Sequence, residues 1–197
     1  MRIGFIGLGA MGSQIAQDLV ESHHEVTLYD ISSSALDRFA TSGAHIARSL
    51  SEVAATSEVI GICVVDDEQV KEVVAGSNGL LNGPIESGTV LMVHSTVHPD
   101  TISDLAVQTA AEGGHLIDAS LTAGPMSKTH IDRLVLVGAD PEVYSRCAEA
   151  LAAIGTPILV GPLGTGCTVK LLNNLLTTAT IGTAEAVLRI GESIGLE

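Results

Sequence analysis

Aromatic residues are almost absent from this 197-residue chain, which has two Phe, two Tyr and no Trp. A core must then be packed from Val, Ile, Leu and Ala, which suits strands covered on both faces by helices. Charge is also scarce, at 16% Asp, Glu, Lys and Arg against 46% apolar residues. That balance excludes disorder, because so much apolar burial offsets the entropy of ordering. Basic residues are scarcest of all. Nine Lys and Arg face 23 Asp and Glu, for a formal charge of −14. Such a surface repels nucleic acid and anionic lipid, and the scattered cations form no cluster that could follow a phosphate backbone. No nucleic acid is expected as a partner.

Cysteine is limited to Cys63, Cys147 and Cys167, far apart and without a Cys-x-x-Cys spacing. An odd number outside any framework points to free thiols in a reducing compartment. No uncharged run approaches the ~18 apolar residues of a membrane span. Met1–Gly7 reads as a strand and not as a secretory leader. By elimination the expectation is a cytoplasmic protein with no membrane contact. Seven histidines invite a metal, but none has the spacing of a zinc-binding helix, and no metal is expected.

What is present is alternation. Residues 2–6, 25–29, 44–47, 58–65, 89–94, 115–119, 133–137 and 158–160 read as strands. Helical spacing falls between them, with Ser32 as a cap for a helix to Phe39, and with Pro99 and Pro141 opening helices to Ala111 and Ile154. Strands alternating with helices at these lengths predict an α/β fold, a Rossmann-type doubly wound, mainly parallel sheet. The glycine-rich stretch from Gly161 to Gly166 breaks the pattern. The expected division is a dinucleotide-binding domain over 1–163 and one long C-terminal helix over 164–197.

Gly7-Leu8-Gly9-Ala10-Met11-Gly12 stands between the first strand and the first helix. A Gly-x-Gly-x-x-Gly string alone is a weak signal, since glycines are common in turns. Here a strand, a helix, a second strand and an acid surround it. The first glycine permits the tight turn, the second admits a pyrophosphate, and the third lets helix and strand pack closely. Asp30 ends the second strand, 18 residues after Gly12, where an acid accepts hydrogen bonds from the ribose hydroxyls. A 2′-phosphate would meet a carboxylate there, and no arginine follows until Arg38. NAD is therefore expected, with NADP disfavoured. The plain alternative for Asp30 is a helix cap before Ser32.

Three further blocks follow in order: Ser95-Thr96-Val97-His98-Pro99, Asp118-Ala119-Ser120-Leu121-Thr122-Ala123-Gly124, and Gly164-Thr165-Gly166 running into Lys170-Leu171-Leu172-Asn173-Asn174. With the opening glycine loop, these blocks resemble the β-hydroxyacid dehydrogenases, the group of 3-hydroxyisobutyrate and 6-phosphogluconate dehydrogenases. The resemblance implies an NAD-dependent interconversion of a small β-hydroxyacid and its semialdehyde or keto acid. It implies cofactor contacts from the glycine loop, Asp30, Val65, Ser95 and Thr96, and binding of a small carboxylate substrate by Thr122, Ala123, Gly124 and Asn173. Lys170 and Asn174 would be catalytic.

The chemistry supports those two residues independently. Oxidising a hydroxyl needs a base for its proton, the reverse needs an acid, and a lysine with a lowered pKa does both. Lys170 and Asn174 stand at i and i+4, on one helix face. The plain alternatives are a solvated helix lysine and asparagines used as interhelical glue. Where the family usually has Ser-Gly-Gly, this chain has Thr122-Ala123-Gly124. Lys128, His130 and Arg133 follow, candidates for the pocket edge or for an ordinary loop.

In that family the long helix leads into an all-helical domain, which is expected to be lacking here, leaving a fragment or a short form. Val169, Leu172, Leu176, Ala179, Thr183, Val187, Ile190 and Ile194 make an apolar stripe in need of cover. A homodimer through this helix is expected. Two other readings stay open: a non-catalytic NAD-binding or assembly module, and an imine-reductase-like enzyme, which the lysine disfavours.

Overall fold

The computed structural model describes residues 1–123 and 133–196. Strands β1 (Arg2–Ile6), β2 (Glu25–Tyr29), β3 (His45–Ile46), β4 (Val59–Ile62), β5 (Val90–Val93), β6 (His115–Ala123), β7 (Arg133–Gly138) and β8 (Thr156–Gly161) form one sheet. Its order is β3-β2-β1-β4-β5-β6-β7-β8. The first six strands are mutually parallel; β7 returns antiparallel beside β6, and β8 runs parallel to β7. Helices α1 (Gly12–Glu21), α2 (Ser33–Asp37), α3 (Leu50–Thr56), α4 (Asp67–Ala75), α5 (Pro99–Ala111), α6 (Pro141–Ile154) and α7 (Thr165–Ser193) connect or follow them.

The aliphatic runs Val-Ile-Gly-Ile and Val-Leu-Met-Val make β4 and β5 apolar on both faces, so helices must cover both. Two apolar layers result. One packs Phe5, Met92, Ile117 and Val135 against Ile15 and Leu19 of α1 and Leu151 of α6. The other packs Ile6, Ile60, Ile62 and Leu91 against Val53 of α3, Val70 of α4 and Ile102 of α5. The strands and helices anticipated from the sequence are present with shifted ends: β4 stops at Ile62, three residues before Val65, α2 stops at Asp37, and β8 runs from Thr156 to Gly161. Strand β6 continues four residues beyond Ala119, because β7 pairs with it as far as Ala123. Ser32 occupies the α2 cap position without capping: its hydroxyl meets that of Ser34 at 2.9 Å.

Arg133 does not lie on an ordinary solvated loop: it starts β7 as a buried group, ion-paired with Asp18 of α1. Lys128, His130 and Gly124 lie outside the described residues.

His94 is buried at the end of β5, stacked on Phe5, with Nδ1–H donating to the Ala119 carbonyl at 2.8 Å. Burial pulls its pKa from 6.5 down to about 4. The neutral ring is therefore the native form. Its contribution to stability is complete above pH 6.5 and is lost as pH falls towards 4. At ~1.4 kcal/mol per unit, the protein should lose roughly 2 kcal/mol between pH 6.5 and 5 through this ring. Urea unfolding of the parent and of His94→Gln, which keeps a donor but takes up no proton, checks this. Equal losses in both proteins would refute it.

Helix α7 differs from the others. Its first turn is buried at Gly166 and Cys167, but every residue from Leu175 to Ile190 is exposed. Among the described residues no helix is long and apolar enough to cross a membrane, and no three His, Cys, Asp or Glu side chains converge on a metal position.

Candidate cofactor and active site

The chain leaves β1 towards β2 on one side and reaches β4 on the other, so β1 and β4 flank a switch point at the carboxyl edge of the sheet. Ligands of open α/β sheets sit in that crevice. Three loops meet there, following β1, β4 and β5. Gly7 turns at φ +93°, and a Cβ on it would stand 2.2 Å from the Cys63 carbonyl oxygen. A Cβ on Gly12 would stand 2.0 Å from the Gly7 carbonyl, so α1 starts in backbone contact with the turn. Gly9 is the opposite case, with open space where its Cβ would be.

The amides of Gly9, Ala10 and Met11 have no hydrogen-bond partner among the described residues. They precede α1, whose N-terminus adds a partial positive charge. This cradle fits a pyrophosphate. Leu8 plays another part: its side chain is fully buried, and its peptide is held from both sides. Its N–H donates to Asp30 Oδ2 at 2.6 Å, and its carbonyl accepts from Arg38 Nη2. Asp30 Oδ1 also accepts the Ser32 N–H at 2.8 Å. Each carboxylate oxygen keeps a second lone pair for a ribose hydroxyl. Arg38, remote in sequence, is thus folded back onto the glycine loop.

Val65 lies in the loop after β4 and is 80% exposed. Ser95 and Thr96 divide. Ser95 is buried, and its hydroxyl clamps two loops together, donating to the Val64 carbonyl at 2.8 Å and accepting the Val64 N–H at 2.9 Å. Thr96 is exposed, and its side chain has no hydrogen-bond partner among the described residues.

On the other side of the crevice, β6 carries Asp118, Ser120 and Thr122 on one face, by strand alternation. Helix α7 covers that face. Asp118 is fully buried; its Oδ1 accepts the Gly164 N–H and its Oδ2 the Cys167 N–H, both at 2.7 Å. Bonds of this charged kind contribute about 1.5–3 kcal/mol each. Ser120 Oγ lies 3.6 Å from Cys167 Sγ. Thr122 is next along the same face, half-buried, and Ala123 closes the strand opposite Arg133.

One turn past Cys167 comes Lys170. It is half-buried, and burial lowers its pKa below 10.5. It makes no ion pair among the described residues. Asn173 and Asn174 are half-buried one turn further, between exposed Leu172 and Leu175. The role of Asp118 was not read from the sequence. The signal was an acid in an apolar run, since a buried Asp needs a partner.

A family model describing the NAD-binding domain of 6-phosphogluconate dehydrogenase matches residues 2–169. The chain belongs to this family. It is thus the NAD-binding part of an oxidoreductase family that includes 3-hydroxyisobutyrate dehydrogenases. An uncharacterised oxidoreductase of Mycobacterium tuberculosis is 34% identical over the whole chain, which spans 66% of that relative's length. The structure of 3-hydroxyisobutyrate dehydrogenase from the same organism, with L-serine, superposes with a TM-score of 0.87 at 25% identity, covering 100% of this chain and 66% of that one. An imine reductase from Myxococcus stipitatus shares the fold, with a TM-score of 0.89 at 18% identity, covering 100% of this chain and 67% of that one.

Proposed function

We propose that this member of the family interconverts a small β-hydroxyacid and its semialdehyde or keto acid, using NAD. The observation that carries the reading is a half-buried lysine of lowered pKa, seated one helical turn from Cys167, whose N–H ties α7 to Asp118 on the strand that bears Thr122. Bound on the Gly9–Met11 amides, NAD supplies the hydride acceptor. The residues do the rest. The Lys170 amine takes the hydroxyl proton during oxidation and, as ammonium, returns it during reduction. The Asn174 amide orients the hydroxyl or the amine, and the Thr122 hydroxyl and Asn173 hold the carboxylate end. An absorbance screen of short hydroxyacids for NADH formation tests this. Cofactor binding with no turnover on any of them would favour the non-catalytic module, while turnover on cyclic imines alone would favour imine reduction.

Preference for NAD over NADP rests on Asp30, whose carboxylate opposes a 2′-phosphate. Arg38, held on the Leu8 carbonyl, works against that preference. Asp30→Ala should therefore shrink the gap in Kd at least tenfold (~1.4 kcal/mol), and adding Arg38→Ala should restore part of it. Equal titration curves for the two cofactors on the parent protein would overturn the assignment. We also place the protein in a reducing compartment, the cytoplasm, because Cys63, Cys147 and Cys167 are all free thiols. The apolar α7 is proposed as the seat of a homodimer.

A further inference from the structure

The proposed reaction uses groups from three separate places: the glycine loop, strand β6 and helix α7. We propose that Asp118 is the positioning residue of this reaction, a buried carboxylate that fixes α7, and with it Lys170 and Asn174, against the strand bearing Thr122. The proposal rests on Lys170 being the acid/base group.

The attachment is two-pronged. One oxygen takes the N–H of Gly164, at the cap of α7, and the other that of Cys167, in its first turn. Two bonds separated along the helix fix both its rotation and its slide along the strand. The surrounding backbone is shaped to this carboxylate. A Cβ on Gly138, directly across the β6–β7 ladder, would stand 2.4 Å from Oδ1. One on Gly166 would stand 2.8 Å from Oδ2 and 2.4 Å from the Leu136 carbonyl. The glycines thus bring α7 down onto β7 until its free amides reach Asp118. Lys170 follows Cys167 by three residues, so a shift at the bolt reaches the amine almost undiminished. No cation neutralises Asp118 among the described residues. Burial raises its pKa, and the helix amides are what favour its charged form.

Asp118→Asn keeps size but opposes an NH2 group to one of the two amides, so α7 must shift. Turnover should fall on the order of 10²-fold, the effect of a misplacement of about 1 Å, while the Kd for NAD stays within about threefold of the parent. A merely structural residue would instead lower the folded fraction and leave the turnover of folded molecules unchanged, which would overturn the proposal. So would a parallel collapse of NAD binding. The double variant with Lys170→Ala separates this proposal from the function it rests on. Losses that do not add place Asp118 upstream of the lysine; losses that add overturn that placement. If Lys170→Ala alone turns over normally, the proposed function fails and takes this proposal with it; if only Asp118→Asn does, the function stands and this proposal fails. Should Asp118→Asn not fold, Gly164→Ala strains the same bolt at φ +86° while leaving the carboxylate in place. It should give the same signature, and parental turnover in it would be decisive against the proposal.

Discussion

Lys170→Ala should lose at least ~100-fold in turnover, the low end for a positioned acid–base residue, with its NAD affinity unchanged. The two readouts separate because the groups are separate. The phosphate cradle belongs to the β1–α1 turn, whereas Lys170 stands on α7, which packs over β6 and β7. Desolvation favours the neutral amine and lowers its pKa below 10.5. Oxidation needs that neutral form, so its rate should climb with pH through the lowered pKa. Reduction needs the ammonium, so its rate should decline through the same value. Lys170→Arg should not rescue, because a guanidinium does not release its proton in this range. Normal turnover in Lys170→Ala, or loss of NAD binding along with activity, would remove the lysine from the mechanism. A surviving pH limb in the variant would assign that limb to another group.

Much of this arrangement was legible from residues alone, for reasons that can be named. Pro99 and Pro141 start α5 and α6 where a missing N–H does no harm, and both helices end where periodicity stops. Strands β1 and β2 are short apolar runs stopped by Gly7 and Asp30. The end of β6 was not legible, because Ser120 and Thr122 interrupt the apolar run. Only the pairing with β7 shows them to be one face of a longer strand. Motif reading found the glycine loop but could not sort scaffold from ligand contacts within it. The Leu8 side chain lies in the core, and in the loop after β5 the Ser95 hydroxyl spends its one proton on the Val64 carbonyl. Asp118 was hidden for a different reason: its partners lie 46 and 49 residues downstream. Arg38 was discounted by sequence distance, which the fold cancels at the Leu8 carbonyl.

The second large effect expected is self-association through α7. Leu172, Leu176, Val187 and Ile190 are each at least 60% exposed. With Val169, Ala179, Thr183 and Ile194 they line one side of the helix. The patch runs along seven turns, and soluble monomers rarely leave more than a few hundred Å² of contiguous apolar surface bare. Among the described residues nothing covers Leu175 to Ile190, so the stripe is not buried by folding back on them. Two copies packed antiparallel would cover both stripes in a closed two-fold arrangement. Ile181 and Leu188, also exposed, lie roughly 150° round the helix from that stripe, at 100° per residue. One partner helix therefore leaves a second apolar line for another neighbour, whether a further part of the same polypeptide or another chain. Changing Leu172, Leu176, Val187 and Ile190 together to Gln removes four side chains from each copy, eight from the dimer, each contributing at least ~1.5 kcal/mol when buried. The dimer should weaken by more than ~10⁴-fold, enough to give a monomer at micromolar concentration by light scattering. The same change at Ile181 and Leu188 should leave the dimer standing. A parent protein already monomeric at that concentration would refute the pairing, and a dimer indifferent to the fourfold change would move the interface off α7.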